Sequence, residues 1–121
     1  MSKKILIVED DSDFQDIYSL FLRGESYQVL TAGNGQEGLE ALEKETPDLI
    51  ILDLIMPVMD GETFYVRLRE QSKWKSIPVL IASVNDKMPA RITELGGIAG
   101  NLRKPFHIDT LLGKIHECLK V

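Results

Sequence analysis

The chain has 121 residues, 44% hydrophobic and 27% charged, values ordinary for a globular domain large enough to build its own core. Its net charge of −5 argues against a domain that grips nucleic acid electrostatically. Cys118 is its single cysteine and the apolar run after Ser2-Lys3-Lys4 is four residues long, so an intramolecular disulfide, a signal peptide and a membrane span are all excluded, and a cytoplasmic protein is expected.

Ile5-Leu6-Ile7-Val8 is a short β-rich run of the kind buried on both faces of a parallel sheet, and it ends in three acids, Glu9-Asp10-Asp11. Phe14, Ile17, Tyr18, Leu20 and Phe21 then lie on one face of a helix at 3.6-residue spacing. Asp11 or Ser12 can cap that helix, with Gln15 completing a Ser12-x-x-Gln15 capping box and Gly24 ending it. Residues 27–31 read as a strand. Asn34-Gly35 turns the chain, with Asn34 as N-cap of a second helix marked by Leu39, Ala41 and Leu42 and stopped before Pro47.

Leu49-Ile50-Ile51-Leu52 is the third strand, an unbroken apolar run closed by Asp53. A third helix is expected over 62–71, carrying Phe64, Val66 and Leu68, followed by a polar loop that holds the only tryptophan, Trp74. Residues 78–82 form the fourth strand, ending at Ser83. A short helix is expected over 86–95, with Pro89 in its first turn and Gly96-Gly97 after it. Residues 98–102 are a poor fifth strand closed by Lys104-Pro105, and Ile108, Leu111, Leu112, Ile115 and Leu119 mark the last helix. There is no internal repeat, low-complexity segment or linker. Strands alternating with helices mean βαβ units, right-handed crossovers and a parallel sheet, hence a three-layer α/β/α sandwich.

In a parallel sheet every strand delivers its C-terminal end to the same edge, which is where such sheets bind ligands. Glu9 and Asp10, Asp53, Ser83 and Lys104 therefore meet at one lip. Each alone has a plainer reading: a helix N-cap, a turn former, a structural serine, a Lys-Pro turn. Their arrival from four different strands at one edge is what the plain readings do not explain. An incomplete cage of hard oxygen ligands suits Mg²⁺. Lys104 adds a positive charge for an incoming anion, and Ser83 can donate to a phosphoryl oxygen. A central carboxylate such as Asp53 can act as a nucleophile toward phosphorus.

The ordered set Val8-Glu9-Asp10-Asp11, Asn34-Gly35, Asp53-Leu54-Ile55-Met56-Pro57, Met59-Asp60-Gly61, Ser83 and Lys104-Pro105-Phe106 resembles the receiver domain of two-component response regulators over essentially the whole chain. The resemblance implies one receiver domain over residues 1–121, flavodoxin-like (CheY-like), with a five-stranded sheet in the order 2-1-3-4-5. It implies that Asp53 accepts a phosphoryl group from a sensor histidine kinase or histidine phosphotransfer protein. Mg²⁺ would be held by Asp10, Asp53 and the backbone carbonyl of Ile55, with Glu9 helping through water; Asp11 falls at a variable position. Ser83 and Lys104 would hold the phosphoryl oxygens, and the Lys104-Pro105 peptide would be cis. The domain would signal to a downstream effector without turning over a substrate, contacting neither nucleic acid nor membrane.

Three residues or stretches depart from the family pattern. Three residues before the lysine, where the family often carries Tyr or Phe as a switch, stands Asn101. The stretch Gly97-Ile98-Ala99-Gly100 lacks the usual paired acids, and the fourth helix reads about one residue short. Ile55, two residues after Asp53, cannot hold a hydrolytic water with its side chain. A slowly decaying phosphorylated form follows, although Asn85 could orient a water. So does an output carried by backbone shifts around Ser83 and the fourth helix. Rival readings are weaker. A Mg²⁺-dependent aspartyl-phosphate phosphatase wants a second acid where Ile55 stands. A flavin carrier wants a phosphate cradle where the acids stand. A receiver that binds partners without phosphorylation has less use for a complete acidic pocket, although Asn101 leaves that reading open. No effector domain follows the last helix within these residues, so a stand-alone receiver and a domain of a longer protein both fit.

Overall fold

The computed structural model describes residues 2–84 and 88–119. Its elements in chain order are β1 (Lys4–Val8), α1 (Ser12–Gly24), β2 (Gln28–Ala32), α2 (Gly35–Lys44), β3 (Leu49–Leu52), α3 (Gly61–Glu70), β4 (Val79–Ser83), α4 (Ala90–Leu95), β5 (Gly100–Arg103) and α5 (Ile108–Leu119). The strands form one sheet in the order β2-β1-β3-β4-β5, every pair parallel, as expected. The central strands are apolar throughout because both their faces are covered. Leu6, Val8, Ile50, Leu52, Val79 and Ile81 point to a layer built by Leu42, Phe64, Tyr65, Leu68 and Ile92 of α2, α3 and α4. Ile5, Ile7, Leu49, Ile51, Leu80 and Ala82 point the other way, toward Tyr18, Leu22, Leu111 and Ile115 of α1 and α5. Each large side chain so buried contributes roughly 1.5–3 kcal/mol.

Several local expectations shift. In α1 the buried residues are Tyr18 and Leu22, while Ile17, Leu20 and Phe21 are 49%, 72% and 42% exposed. Apolar residues cover more than half of this helix, and spacing alone does not say which part meets the sheet. Gln15 forms no capping box: Asp11 caps α1 alone, accepting from the backbone N–H groups of Asp13 and Phe14 at 2.9 and 3.3 Å. Asn34 caps α2 as expected, accepting from Glu37 N at 2.9 Å. The loop after α3 is less polar than it reads, because Trp74 is buried with the Lys73 ammonium 4.7 Å from its ring. α4 is only six residues long and has Pro89 at its N-cap, with no side-chain cap. The expected start at Asp86, and Asn85, lie outside the described residues. β5 begins two residues late because Gly96 and Gly97 adopt positive φ angles, +66° and +80°, before the chain rejoins the ladder.

Gly61 is the backbone feature that matters for the lip. A Cβ there would lie 2.4 Å from the carbonyl oxygen of Asp53 and 2.6 Å from Cα of Leu54. Only glycine lets the first turn of α3 press directly behind the strand end. Gly61 N donates to Leu54 O at 3.0 Å, and Asp60 caps the helix through Thr63 N at 2.8 Å.

Candidate functional site

Three of the residues expected at the lip, Glu9, Asp53 and Lys104, are held by backbone bonding that runs past their strands. Glu9 N donates to Ala32 O (2.9 Å), Asp53 N to Val8 O (3.0 Å) and Lys104 N to Ser83 O (2.9 Å). The side chains therefore leave a rigid edge rather than a free loop. Among the described residues, the buried polar or charged side chains outside the aromatics are Glu9, Asp53, Ser83 and Lys104, at 2%, 8%, 3% and 8% exposure. Asp10 is exposed at the mouth. Glu9, Asp10 and Asp53 each present a carboxylate oxygen within 4.8 Å of the others.

Lys104 answers part of that charge. Its ammonium donates to Glu9 Oε1 in a short buried contact and lies 3.7 Å from Asp53 Oδ2. The lysine thus pairs first with Glu9, the carboxylate expected to act through water, rather than with Asp53. Glu9 also accepts from Asp11 N at 3.2 Å, and Asp53 Oδ1 accepts from Ile55 N at 3.4 Å. Burial, the largest influence, pushes the Glu9 carboxyl above its usual range. The Lys104 and Asp11 hydrogen bonds and the Lys104 charge oppose this, and the nearby Asp53 charge adds to it. Three carboxylates thus face one lysine. A small divalent cation with oxygen preference fits that donor set. Ser83 is buried at the end of β4. The side chain of Ile55 is 53% exposed and the Lys104-Pro105 peptide is cis.

Three groups at this edge escaped the sequence reading. Gln15 Nε2 donates to Glu9 O at 2.5 Å and Ala32 O at 3.2 Å, stitching the ends of β1 and β2 together beneath the acids. The ring of Phe14 faces the Lys104 ammonium, 4.3 Å from centroid to nitrogen. Tyr18 is buried with a hydroxyl that has no hydrogen-bond partner, and burial, then the charges of Glu9 and Asp53, push it above its ordinary range. Phe14 and Gln15 lie in the first turn of α1, the turn that must rise from the acidic lip; that placement was the available signal.

The family model described as the response regulator receiver domain matches residues 5–116. Among curated relatives, the DNA-binding dual master transcriptional regulator RpaA of Synechocystis is 33% identical over 97% of this chain and 49% of its own. The chain spans about half the length of the curated relatives it matches. Among solved structures, the chemotaxis protein CheY4 of Vibrio cholerae is 34% identical with a TM-score of 0.89, covering 98% of this chain and 100% of its own. The response regulator TrrA of Thermotoga maritima, solved in complex with Mg²⁺-BeF, is 26% identical with a TM-score of 0.85, covering 97% and 99%.

Proposed function

The chain belongs to the response regulator receiver domain family, and on that premise we propose that residues 1–121 act as one phosphoryl-accepting signalling switch with Asp53 as the acceptor. The observation that carries the reading is the burial pattern. The described buried polar side chains outside the aromatics all belong to the set that phosphoryl transfer at Asp53 uses, and burying an ion costs several kcal/mol unless it is paired and hydrogen-bonded. The donor is a sensor histidine kinase or a histidine phosphotransfer protein. A carboxylate oxygen of Asp53 forms a bond to phosphorus as the phosphorus–nitrogen bond of the donor phosphohistidine breaks, and the imidazole leaves. Asp10, Asp53 and the Ile55 carbonyl, with Glu9 through water, would hold Mg²⁺, which would supply charge neutralisation for this transfer. Lys104 and Ser83 donate to the phosphoryl oxygens that arrive.

The domain takes and slowly loses its own phosphoryl group without turning over a further substrate. The exposed apolar side chain of Ile55 orients no hydrolytic water, which favours a long-lived acyl phosphate. Output passes through the loop after Ser83 and the uncapped start of α4 to a downstream effector, since Asn101 offers no ring to flip. A beryllofluoride complex in which that loop has not moved would overturn this output route. Among the described residues no helix is long and apolar enough to cross a membrane, in keeping with a cytoplasmic site of action. The test of the acceptor is intact mass after incubation with phosphoramidate and Mg²⁺. One phosphoryl adduct on wild type, absent from Asp53→Ala, is expected; an adduct that survives in Asp53→Ala overturns it.

A further inference from the structure

Lys104 carries an ammonium on four flexible methylenes, yet the structure finds it fixed on three sides. Glu9 accepts from it, Asp53 Oδ2 lies 3.7 Å away, and the Phe14 ring closes the remaining side at 4.3 Å. Cations within about 6 Å of a ring centroid are attracted by the negative face, and the more so when desolvated; Lys104 is 8% exposed. The ring is itself held. Phe14 N donates to the Asp11 carboxylate in the first turn of α1. The Tyr18 ring backs it at 6.2 Å, and Phe106, which follows Lys104-Pro105, backs Tyr18 at 6.1 Å. A shelf of three rings thus starts at the lysine and returns to the loop that carries it.

We propose that Phe14 is a positioning residue for Lys104, its ring holding the ammonium beside Asp53 while the lysine exchanges Glu9 for a phosphoryl oxygen. This rests on the reading of Asp53 as acceptor. The lysine has to leave Glu9 for that exchange. A hydrogen-bonding partner in place of the ring would compete for the ammonium, whereas a π face attracts the charge without fixing its hydrogens. The lysine can then turn from one oxygen to another without leaving the site. A leucine at this position fills the same space but offers no such face, so nothing would hold the ammonium at the site while it leaves Glu9.

The test compares wild type, Phe14→Leu and Phe14→Tyr with phosphoramidate as the donor, a small molecule that needs no docking surface. Phosphorylation of Phe14→Leu is expected to slow by about thirtyfold, the scale of one desolvated cation–π contact, with Mg²⁺ affinity unchanged. Phe14→Tyr is expected to stay within about twofold of wild type, because the π face is kept. By proton NMR the Lys104 ε-methylene should show an upfield ring-current shift in wild type and Phe14→Tyr that is lost in Phe14→Leu. Wild-type speed in Phe14→Leu, or equal slowing in both variants, overturns the proposal, since the second outcome means that packing alone matters. A wild type that takes up no phosphate overturns the acceptor reading instead. The ring-current shift then decides the Phe14 contact alone: present, the contact stands; absent, it falls.

Discussion

Each end of the sheet holds a cation whose partners come from several elements, Lys104 at one and Arg69 at the other, and they are used in opposite ways. At the C-terminal lip, Lys104 faces the carboxylates of Glu9 and Asp53 and the ring of Phe14. At the N-terminal edge, Arg69 donates to Tyr65 Oη (3.1 Å), Lys75 O (2.9 Å), Ile77 O (3.0 Å) and Gly97 O (3.0 Å), while Tyr65 donates to Gly96 O at 2.5 Å. A planar guanidinium satisfies several neutral carbonyls at once and has nothing to gain by moving. A lysine ammonium among too many carboxylates is a point charge that another anion can claim. The far edge is therefore built for stability and anchors the C-terminal end of α4, whereas the lip holds unfavourable charge in reserve for chemistry.

Removing either cation's surroundings should separate the two roles. Arg69→Met strips carbonyls at the far edge of their donor and should cost about 3 kcal/mol, read from urea unfolding midpoints, while leaving the phosphorylation rate of the folded protein unchanged. A large rate loss would mean that the edges are coupled. Gly61→Ala drives a methyl into the Asp53–Leu54 backbone and should do both kinds of damage, costing about 2 kcal/mol and slowing phosphorylation. Asp53→Asn should do the reverse of Arg69→Met. Relief of repulsion among the acids should raise stability by about 1 kcal/mol without divalent cation. Mg²⁺ should then stabilise wild type, by linkage, and not the variant. A variant less stable than wild type would mean that Lys104 already balances the cluster. The smallest effect is kinetic: Ile55→Asn should shorten the phosphorylated lifetime severalfold by giving water an amide to bind, measured as loss of the adduct by mass. An unchanged lifetime removes Ile55 as the timer.

Most of the sheet was legible because Ile5–Val8 and Leu49–Leu52 leave no polar residue for a solvent face, and because the acids, serine and lysine stand one after another at strand ends. The helices were legible as helices but not always in which side they bury. In α1, the buried set Tyr18 and Leu22, with Phe14 half-buried one turn earlier, is spaced by four residues, yet Ile17 and Phe21 beside it are equally apolar. Gln15 fitted a local capping pattern, but its side-chain nitrogen donates instead to the carbonyls of Glu9 and Ala32, and Asp11 caps the helix. The Phe14–Lys104 contact joins residues ninety apart in sequence and has no local signature, and neither does the Arg69 clasp. What one strand end or one helix period determines could be read; what needs two distant elements in register could not.

The central claim is that the charge gathered at the lip exists to phosphorylate Asp53. Its most direct test is borohydride reduction of the protein after phosphoramidate and Mg²⁺, which converts an acyl-phosphate aspartate to homoserine, followed by peptide mass mapping. The account predicts homoserine at position 53 alone, and only when Mg²⁺ is present. Homoserine at position 10, or phosphate retained on a histidine or serine with position 53 unmodified, would contradict it.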